Sequence, residues 1–232
     1  IGFGEPFRKS FGYYENKIRH VSYLTGANPS FSNYAEALRL KKFRLRNGVL
    51  LQPQREVYWP WVFGVINSHS VIVVGNEWTA STYNGYNDNI FTVPVPFVCE
   101  PELLKMEVDA KKHFVYFAGN GGVHKGLDLL IEAFIKNEAD CFLHICCNIK
   151  REKDLLSCYD HRYGSNKNRI IIHGMIDPYS DNMRQICMAS AFVILPSCSE
   201  GTASSVITCM AKGLIPVVTK ESGIVINEFG IE

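Results

Sequence analysis

One segment near the carboxyl end of the chain constrains the fold more than any other. An apolar run, Ala191–Leu195, ends at Pro196, and a loop of small residues with one carboxylate, Glu200, follows it. A short helical pattern then leads to Gly213 and a second apolar run, Ile215–Thr219. In an open parallel sheet, ligands bind where such loops leave the strands, and the free amides of a helix N-terminus suit a phosphate. Because a carboxylate is a poor phosphate ligand, the loop predicts amides for a diphosphate and an acid for sugar hydroxyls.

From Thr92 onward, strand-like and helix-like patterns alternate, which predicts an α/β fold with a parallel sheet. The predicted strands are short, nearly continuous apolar runs, typical of strands covered on both faces: His113–Ala118, Cys141–Cys147, Arg169–His173, Ala191–Leu195 and Ile215–Thr219. The predicted helices are Gly126–Asn137, Glu152–Tyr159, Ser180–Ser190 and Ala203–Lys212. Ser180 or Asp181 suits the N-cap of the third helix, and Gly213 suits the end of the fourth.

The pattern before Thr92 is less regular. The predicted elements are the strands Ile18–Tyr23, Ser70–Val74 and Ile90–Val93 and the helix Asn33–Arg46, which Asn47 and Gly48 should stop. A loop is expected at residues 52–60 and a turn at residues 83–89, which are rich in Asn, Gly and Tyr. Pro94 and Pro96 stiffen a predicted interdomain linker.

Composition limits the classes of function. The chain has 232 residues, 47% of them hydrophobic, and a formal net charge of +1, which allows a substantial core and gives no reason to expect a nucleic-acid partner. No run approaches the roughly 18 apolar residues that span a bilayer, and Glu5, Arg8 and Lys9 interrupt any N-terminal secretory signal. No pair among the eight cysteines has the C-x-x-C spacing of a zinc site. Buried reduced thiols are therefore expected, which favours a cytoplasmic location.

Two motifs resemble those of a known family. The first reads Pro-Ser-x-x-Glu-Gly and then Ala-x-Gly-x-Pro-Val-Val, and its residues here are Pro196, Ser197, Glu200, Gly201, Ala211, Gly213, Pro216, Val217 and Val218. The second runs from Phe117 to Leu130 and places Lys125, Gly126 and Asp128 at a helix start, after a strand and a glycine-containing loop. In this order, with strands between them, the motifs resemble glycosyltransferase family 4, whose members are retaining enzymes with nucleotide-sugar donors. The resemblance extends from about Val93 to Gly223.

The resemblance implies a GT-B-like α/β fold, which has two Rossmann-like domains with parallel sheets. Residues 1–93 would form a partial N-terminal domain on the acceptor side. Residues 94–232 would form the C-terminal domain that binds the nucleotide sugar. Members of the family are longer at both ends, and this chain begins without Met and ends in the apolar stretch Asn227–Glu232. We therefore expect both domains to be truncated, the second by its last helices.

The resemblance also implies a function, namely transfer of a hexose from a nucleotide-diphosphate donor to a glycan or lipid-linked acceptor, with retention, in polysaccharide biosynthesis. Lys125 would stabilise the leaving diphosphate, and Glu200 would bind hydroxyls of the donor sugar. The other donor-binding or nucleotide-binding residues would be Gly119, Asn120, Gly121, Gly122, Gly174, Met175, Ile176, Gly201, Thr202, Ala203, Ser204, Ser205 and Thr208. The donor is a substrate, so no cofactor is expected. No catalytic metal is expected either, because Asn87-Asp88-Asn89 is not an Asp-x-Asp site.

Each of these residues also has a plainer interpretation. Glu200 suits a solvated loop acid or the partner of a helix N-cap, and Lys125 suits an exposed lysine at a helix start. The hydroxyls of Thr202, Ser204 and Ser205 suit caps of their own helix as well as phosphate donors. The glycines match neither the dinucleotide fingerprint nor the Walker loop, so they are weak evidence on their own.

Two departures from the family pattern oppose catalysis. Asn120 stands where the family usually has Arg, and Asn cannot make a bidentate phosphate contact. Thr208 stands where the family has a second Glu for the ribose hydroxyls. Lys212 and His124 are the candidates to replace the positive charge that is missing because Asn120 stands in place of Arg. These departures leave two alternatives to a transferase. One is a non-catalytic module that binds nucleotide sugars, and the other is a sugar-nucleotide epimerase.

The N-terminal part contains two features of interest for the acceptor. The basic residues of the predicted helix, which are Arg39, Lys41, Lys42, Arg44 and Arg46, suit an anionic membrane surface or a lipid-linked diphosphate. Such a contact would place the protein at the inner face of the membrane, whereas an ordinary packed helix with a solvated basic face is the stronger interpretation. His20 lies roughly where the family has an acceptor-side His, and a structural His is the stronger interpretation there too.

Overall fold

The computed structural model describes residues 1–13, 17–58, 60–98, 107–137, 139–161, 168–226 and 229–232. They form two parallel sheets, one of three strands and one of five. The strands are β1 Val21–Leu24, β2 Ser70–Val74, β3 Ile90–Val93, β4 His113–Phe117, β5 Phe142–Cys146, β6 Ile170–Ile172, β7 Phe192–Leu195 and β8 Ile215–Val218. The helices are α1 Gly4–Tyr13, α2 Pro29–Asn47, α3 Val62–Asn67, α4 Glu77–Ser81, α5 Leu127–Lys136, α6 Lys153–Ser157, α7 Asp181–Met188 and α8 Ser204–Met210.

The five-stranded sheet confirms the predicted alternation of strands and helices. Its order is β6-β5-β4-β7-β8, with every pair parallel, and α5 to α8 connect its strands in turn. The Ser180 hydroxyl accepts the amide of Met183, so Ser180 is the N-cap of α7. Gly213 has a φ of 95° just after α8, which is the left-handed conformation expected where that helix ends.

The core of this sheet explains why its strands are apolar throughout. Val115, Leu143, Ile145 and Val193 lie on the three central strands and are fully buried. Removing such a side chain from water contributes about 1.5–3 kcal/mol, so the central strands hold the helices on both faces. No disulfide joins the seven cysteines within the described ranges, while Cys99, the eighth, lies outside the described residues.

The three-stranded sheet has the order β1-β2-β3, again all parallel. Two of its strands were predicted within the right bounds, but β1 begins later than predicted, at Val21. The sequence patterns did not predict α1, α3 and α4. The last two have only six and five residues, which is too short to show a helical period.

Helix α2 packs against both parts of the molecule. It begins at the Asn28 side chain, which accepts two backbone amides, and ends at Gly48 with a φ of 74°, as predicted for the stop. Leu40 and Phe43 belong to the core of the five-stranded sheet, where the Phe43 ring meets that of Tyr159 edge to face. On the N-terminal side, the Phe31 ring of α2 meets the Trp78 ring of α4 edge to face, so the helix has apolar contacts with both parts.

The basic residues of α2 divide into two groups. Arg46 pairs with Asp128 and Glu132 on α5, and Arg39 donates to the backbone oxygen of Pro196 at 2.8 Å. The other three, Lys41, Lys42 and Arg44, are exposed. This is the packed helix with a solvated basic face that the sequence favoured. Within the described part of the chain, no helix combines the length and the apolar character that crossing a membrane requires.

Along the chain, the three strands of the first sheet end at Val93, where β3 ends, and the five strands of the second sheet all come later. The division of the chain into domains at 1–93 and 94–232 remains a prediction, because α2 takes part in the core of the second sheet.

Candidate active site

The strand order places a crevice between β4 and β7. Strand β5 lies beside β4, and β6 lies beside β5 toward one edge of the sheet, whereas β7 lies on the other side of β4. At such a switch point, the two segments that leave the adjacent strands diverge and open a ligand site at their carboxyl ends. These segments are the β4 turn, residues 118–126, and the β7 loop, residues 196–203. They carry the two motifs found in the sequence.

The β4 turn and the β7 loop contact each other directly. The Cys198 amide donates to the His124 carbonyl at 3.0 Å, and His124 Nε2 donates to the Ser199 carbonyl at 2.6 Å. Gly126 has a φ of 75°, and a Cβ there would lie 2.6 Å from the Pro196 oxygen, so a side chain would separate the two segments. Both motifs therefore belong to one site.

Lys125 and Glu200 form an ion pair at the centre of this contact. Lys125 Nζ binds Glu200 Oε1, and the two side chains are only 10% and 8% exposed. The Ser197 hydroxyl donates to the same oxygen at 3.0 Å. Burial raises the pKa of the Glu200 carboxyl, but the Lys125 ammonium outweighs burial and holds that pKa below its ordinary value. Glu200 is therefore an anion at neutral pH, and the interpretation of Lys125 as an exposed lysine was wrong.

Contacts with the loop after β1 and with α4 hold Glu200 and Gly201 in place. The Ala27 amide donates to the Glu200 carbonyl at 3.2 Å, and the Thr79 hydroxyl donates to the Gly201 carbonyl at 3.0 Å. A Cβ on Gly201 would lie 2.3 Å from the backbone oxygen of Thr25, closer than real Cβ contacts allow. The β7 loop thus needs glycine at this position to approach the carboxyl end of β1.

A cavity of about 190 Å³ opens beside Glu200 between the two sheets. Glu200, His124 and Ser199 line one side, and Thr25 and Arg55 line the other. Glu200 is therefore not sealed in hydrocarbon, because its carboxyl borders a polar space that both parts of the chain reach. The positive charge of Arg55 also lowers the pKa of Glu200.

The glycines of the β4 turn are bonded within the protein. The Gly121 amide donates to Glu152 Oε1 at 2.9 Å and to Gln54 Oε1 at 3.1 Å. Gly119 is exposed, whereas Gly122 is buried against the Glu152 carboxyl. Asn120, which replaces the family's Arg, has a buried Oδ1 without a hydrogen-bond partner among the described residues. A ligand that reaches these amides must therefore compete with Glu152.

The hydroxyls at the start of α8 do not cap it. The N-cap is Ala203 and has no side-chain bond, and Thr202 Oγ1 makes a long contact of 3.5 Å with the Gly223 carbonyl. Thr208 donates to the Ser204 carbonyl at 2.9 Å, one turn back along the helix. The Thr208 hydroxyl is thus bonded within its own helix. Ser204 is exposed, and Ser205 is partly exposed. The interpretation that Thr202, Ser204 or Ser205 caps the helix was therefore wrong.

The segment after β6 is open to solvent. Gly174 has a φ of 85°, Met175 is 62% exposed, and Met175 and Ile176 line a cavity of about 470 Å³ together with His173. The next residues toward α7 include Tyr179, which is 67% exposed. This segment has the position predicted for contact with a nucleotide base. Among the described residues, no hydrogen bond or ion pair joins it to the Lys125–Glu200 pair.

The sequence patterns missed several residues that line the site. Gln54 and Arg55, Thr79, and Glu152 come from three different places in the chain and belong to no motif. His124 was considered from the sequence only as a replacement for the missing positive charge. Burial lowers the pKa of His124 below the ordinary value, so its ring is neutral at pH 7. Its buried Nδ1 has no hydrogen-bond partner among the described residues and lies 4.0 Å from Glu36 Oε2.

Two other candidates of the N-terminal part have structural positions. His20 is buried, stacks on Phe11 at 3.9 Å and lies within hydrogen-bond distance of the Ser10 hydroxyl. The Asn87 side chain donates to two backbone carbonyls, those of Val65 and Ser68. Both residues therefore stabilise the N-terminal part.

The family model for glycosyl transferases group 1 matches residues 103–227, which is more than half of the chain and includes both the β4 turn and the β7 loop. The chain belongs to this family. No curated protein matches the chain. In this chain, the matched region includes the five-stranded sheet, whose crevice holds Lys125 and Glu200.

Solved structures of glycosyltransferases have the same GT-B fold. The lipopolysaccharide outer core galactosyltransferase WaaB is 13% identical, with a TM-score of 0.58 over 91% of this chain and 60% of its own. Anabaena HepE, solved with UDP and glucose, is also 13% identical, with a TM-score of 0.58 over 91% of this chain and 56% of its own. TarM from S. aureus, solved with UDP, is 17% identical, with a TM-score of 0.51 over 73% and 32%. The chain therefore spans between about a third and three fifths of the length of these glycosyltransferases.

Proposed function

We propose that this group 1 glycosyltransferase transfers a hexose from a nucleotide-diphosphate donor to a glycan or a lipid-linked acceptor. The Lys125–Glu200 pair is the observation that carries the proposal. It brings together one residue from each motif, 75 positions apart, in the crevice between β4 and β7. An ammonium suits the leaving diphosphate, and a carboxylate suits the hydroxyls of the sugar.

The ion pair leaves binding capacity on both partners. An ammonium has three donors, and the Glu200 carboxylate uses one of them. Among the described residues, both hydrogen bonds to that carboxylate end on Oε1. Oε2 therefore remains for a sugar hydroxyl, and two N–H groups of Lys125 remain for phosphate oxygens. The pair can hold the two reacting ends of a donor at once.

The proposed mechanism is electrostatic. As the bond between sugar and diphosphate breaks, negative charge grows on the diphosphate, and Lys125 stabilises it in a site where water is largely excluded. Glu200 keeps the sugar oriented, which reduces the entropy lost on the way to the transition state. The acceptor enters from the side of β1, through the cavity beside Arg55. Retention at the sugar carbon is part of the proposal and is supported by the family membership.

HepE and TarM were solved with UDP, which supports a nucleoside diphosphate as part of the donor. The test is calorimetry with UDP and GDP, followed by hydrolysis or transfer assays with the corresponding nucleotide sugars. We expect binding of at least one nucleoside diphosphate and a loss of turnover of about a hundredfold in Glu200→Gln. Asp109→Asn, which removes an exposed carboxylate far from the crevice, is the control and should behave as the wild type.

A non-catalytic module that binds nucleotide sugars is the second candidate. The departures at Asn120 and Thr208 favour it, because Asn120 offers no cation and the Thr208 hydroxyl is already bonded to Ser204. Binding without turnover, and unchanged binding in Glu200→Gln, would favour the module over the transferase. No binding of any nucleoside diphosphate would exclude both.

A further inference from the structure

A carboxylate from outside the two motifs occupies the amides of the β4 turn. Glu152 lies just before α6 and is 1% exposed. Its Oε1 accepts the Gly121 amide at 2.9 Å, and the Gly122 amide also donates to this carboxyl. A Cβ on Gly122 would lie 2.5 Å from Glu152 Oε2, so only glycine lets the carboxylate come this close. Two consecutive amides that converge on one anion form an anion-binding nest.

Amide donors hold this carboxylate in place of a cation. Within the described ranges, Glu152 takes part in no ion pair, and its only side-chain donor is Gln54 Nε2 at 3.4 Å. A cavity of about 270 Å³ lies beside it, lined by Gly121, His124 and Gln54 among others. Burial raises the pKa of the Glu152 carboxyl. A buried anion without a cation is costly, and the glycine amides of the nest partly offset that cost.

The same turn carries the ammonium that the proposed function assigns to the diphosphate. The Lys125 amide donates to the Gly121 carbonyl at 2.8 Å, so nest and ammonium belong to one tightly closed turn. A diphosphate has several charged oxygens and can contact both, whereas the carboxylate of Glu152 contacts only the nest. The two anions cannot share the same amides, because like charges at van der Waals distance repel each other strongly.

We propose that Glu152 is a built-in competitor of the donor, whose carboxylate occupies the Gly121–Gly122 nest and must leave it, or be protonated, before a phosphate of the donor can bind there. This inference rests on the proposed function, in that the donor is a nucleotide diphosphate sugar. It adds a residue that sets the affinity for the donor without taking part in the transfer. Glu152 is accordingly a residue that lowers the affinity for the donor.

The experiment compares Glu152→Gln with Asp154→Asn by calorimetry with UDP and GDP. Both variants remove one negative charge from the wall of the same cavity, but Asp154 is exposed and makes no side-chain bond to the turn. A neutral amide oxygen holds the glycine amides about half as strongly as a carboxylate, so Glu152→Gln should bind the diphosphate about tenfold more tightly. Asp154→Asn should stay within about twofold of the wild type, since the charge it loses is screened by solvent.

The pH dependence distinguishes competition from a structural role. The charged and titratable groups around Glu152 are Glu36 of α2, Arg55 of the loop after it, His124 and Tyr116 near the β4 turn, Cys147 after β5, and its neighbours Arg151 and Asp154. All of them are present in both the wild type and Glu152→Gln. The ratio of the two dissociation constants therefore isolates Glu152, and it should shrink toward one as the pH falls from 7.5 and Glu152 gains its proton. A merely structural carboxyl would leave the ratio constant.

The outcomes separate this inference from the proposed function. If neither the wild type nor Glu152→Gln binds any nucleoside diphosphate, the proposed function fails and this inference with it. If the wild type binds and Glu152→Gln binds equally well or more weakly, or if Asp154→Asn gains as much affinity, only this inference is overturned. Glu152→Ala replaces the amide variant if that one does not fold. Failure of both to fold would give Glu152 a structural role alone and would also overturn the inference.

Discussion

The two ends of the candidate site differ in how deeply their side chains are buried and in how many of them are bonded to one another. Around Lys125 and Glu200, side chains are buried and bonded to one another, and the backbone is locked between the two sheets. Around Gly174 and Thr208, the surface is open, with an exposed Met175. At the closed end, around Lys125 and Glu200, the charged groups are already in position without a ligand. At the open end, around Gly174 and Thr208, the protein offers mainly an exposed apolar surface.

This difference indicates which end of the site contributes more to catalysis. Preorganised charges in a dry crevice act on the reacting bond, because they need no reorganisation as the charge develops. A shallow, exposed surface contributes less to any single state and tolerates substitution more easily. Changes at the closed end should therefore have large effects on turnover and stability, and changes at the open end small ones.

The largest effect is expected for Lys125→Met. The variant removes the cation that stabilises the diphosphate and leaves Glu200 as an unpaired buried anion. We expect turnover of the nucleotide sugar to fall by about a hundredfold or more and the free energy of unfolding to fall by ~3 kcal/mol. Steady-state assays and urea denaturation measure the two effects. Lys136→Met, on the exposed side of α5, should change neither, and a similar loss there would refute the special position of Lys125.

Gly201→Ala tests the lock between the β7 loop and β1. The new Cβ would lie 2.3 Å from the Thr25 oxygen, and since the obstacle is backbone, it cannot move aside cheaply. We expect a loss of about 1–3 kcal/mol in the free energy of unfolding, as for overpacked cores. At Gly119, a Cβ meets nothing within 4 Å, so Gly119→Ala is the matched control and should cost about 0.5 kcal/mol or less. Equal costs at both positions would show that the lock does not matter.

A row of imidazoles under the open end makes stability depend on pH. Nδ1 of His113 lies 2.9 Å from Nε2 of His144, and Nδ1 of His144 lies 2.9 Å from Nε2 of His173, next to Gly174. Burial, helped by its two neighbours, lowers the pKa of His144 to about 4. The unfolded chain therefore binds a proton at higher pH than the folded one, and stability should decline as the pH falls from about 6.5 toward 4.

His144→Phe tests this dependence, because it keeps a ring of similar size without a titrating group. Denaturation between pH 4 and 8 should show a smaller loss of stability on the acid side in the variant. Asp128 changes in the opposite sense: burial raises its pKa to about 6 despite Arg46, which favours folding as it gains a proton. It is present in both proteins, so it cancels in the comparison. An identical acid slope in wild type and variant would be inconsistent with the assigned role of His144.

The smallest effect is expected for Thr208→Ala at the open end. The Thr208 hydroxyl bonds to the Ser204 carbonyl, so its loss removes no contact from a ligand. Affinity for UDP or GDP, measured by calorimetry, should change by about twofold or less. Thr208→Ser keeps the hydroxyl and serves as the control. A large loss in the Ala variant alone would show that Thr208 binds the ribose.

Local patterns predicted much of the second sheet. The ends of its five strands and four helices were predicted to within two residues, because strands buried on both faces show as continuous apolar runs. The patterns failed for β1, whose start was placed three residues early, and for α2, whose start was placed four residues late. They did not predict α1, α3 and α4. Lys125 and Glu200 were selected through their motifs, but nothing local indicated that they pair with each other.

By itself, the sequence determined the alternation of elements, the family and the two segments that carry the site, since each depends on residues close together in the chain. Only the tertiary structure decided that Lys125 meets Glu200, that Glu152 sits on the glycine amides and that Arg55 faces the crevice. These contacts join residues between 31 and 145 positions apart. The physical reason is that such contacts depend on the strand order and on the packing of one sheet against the other, neither of which leaves a local pattern in the sequence.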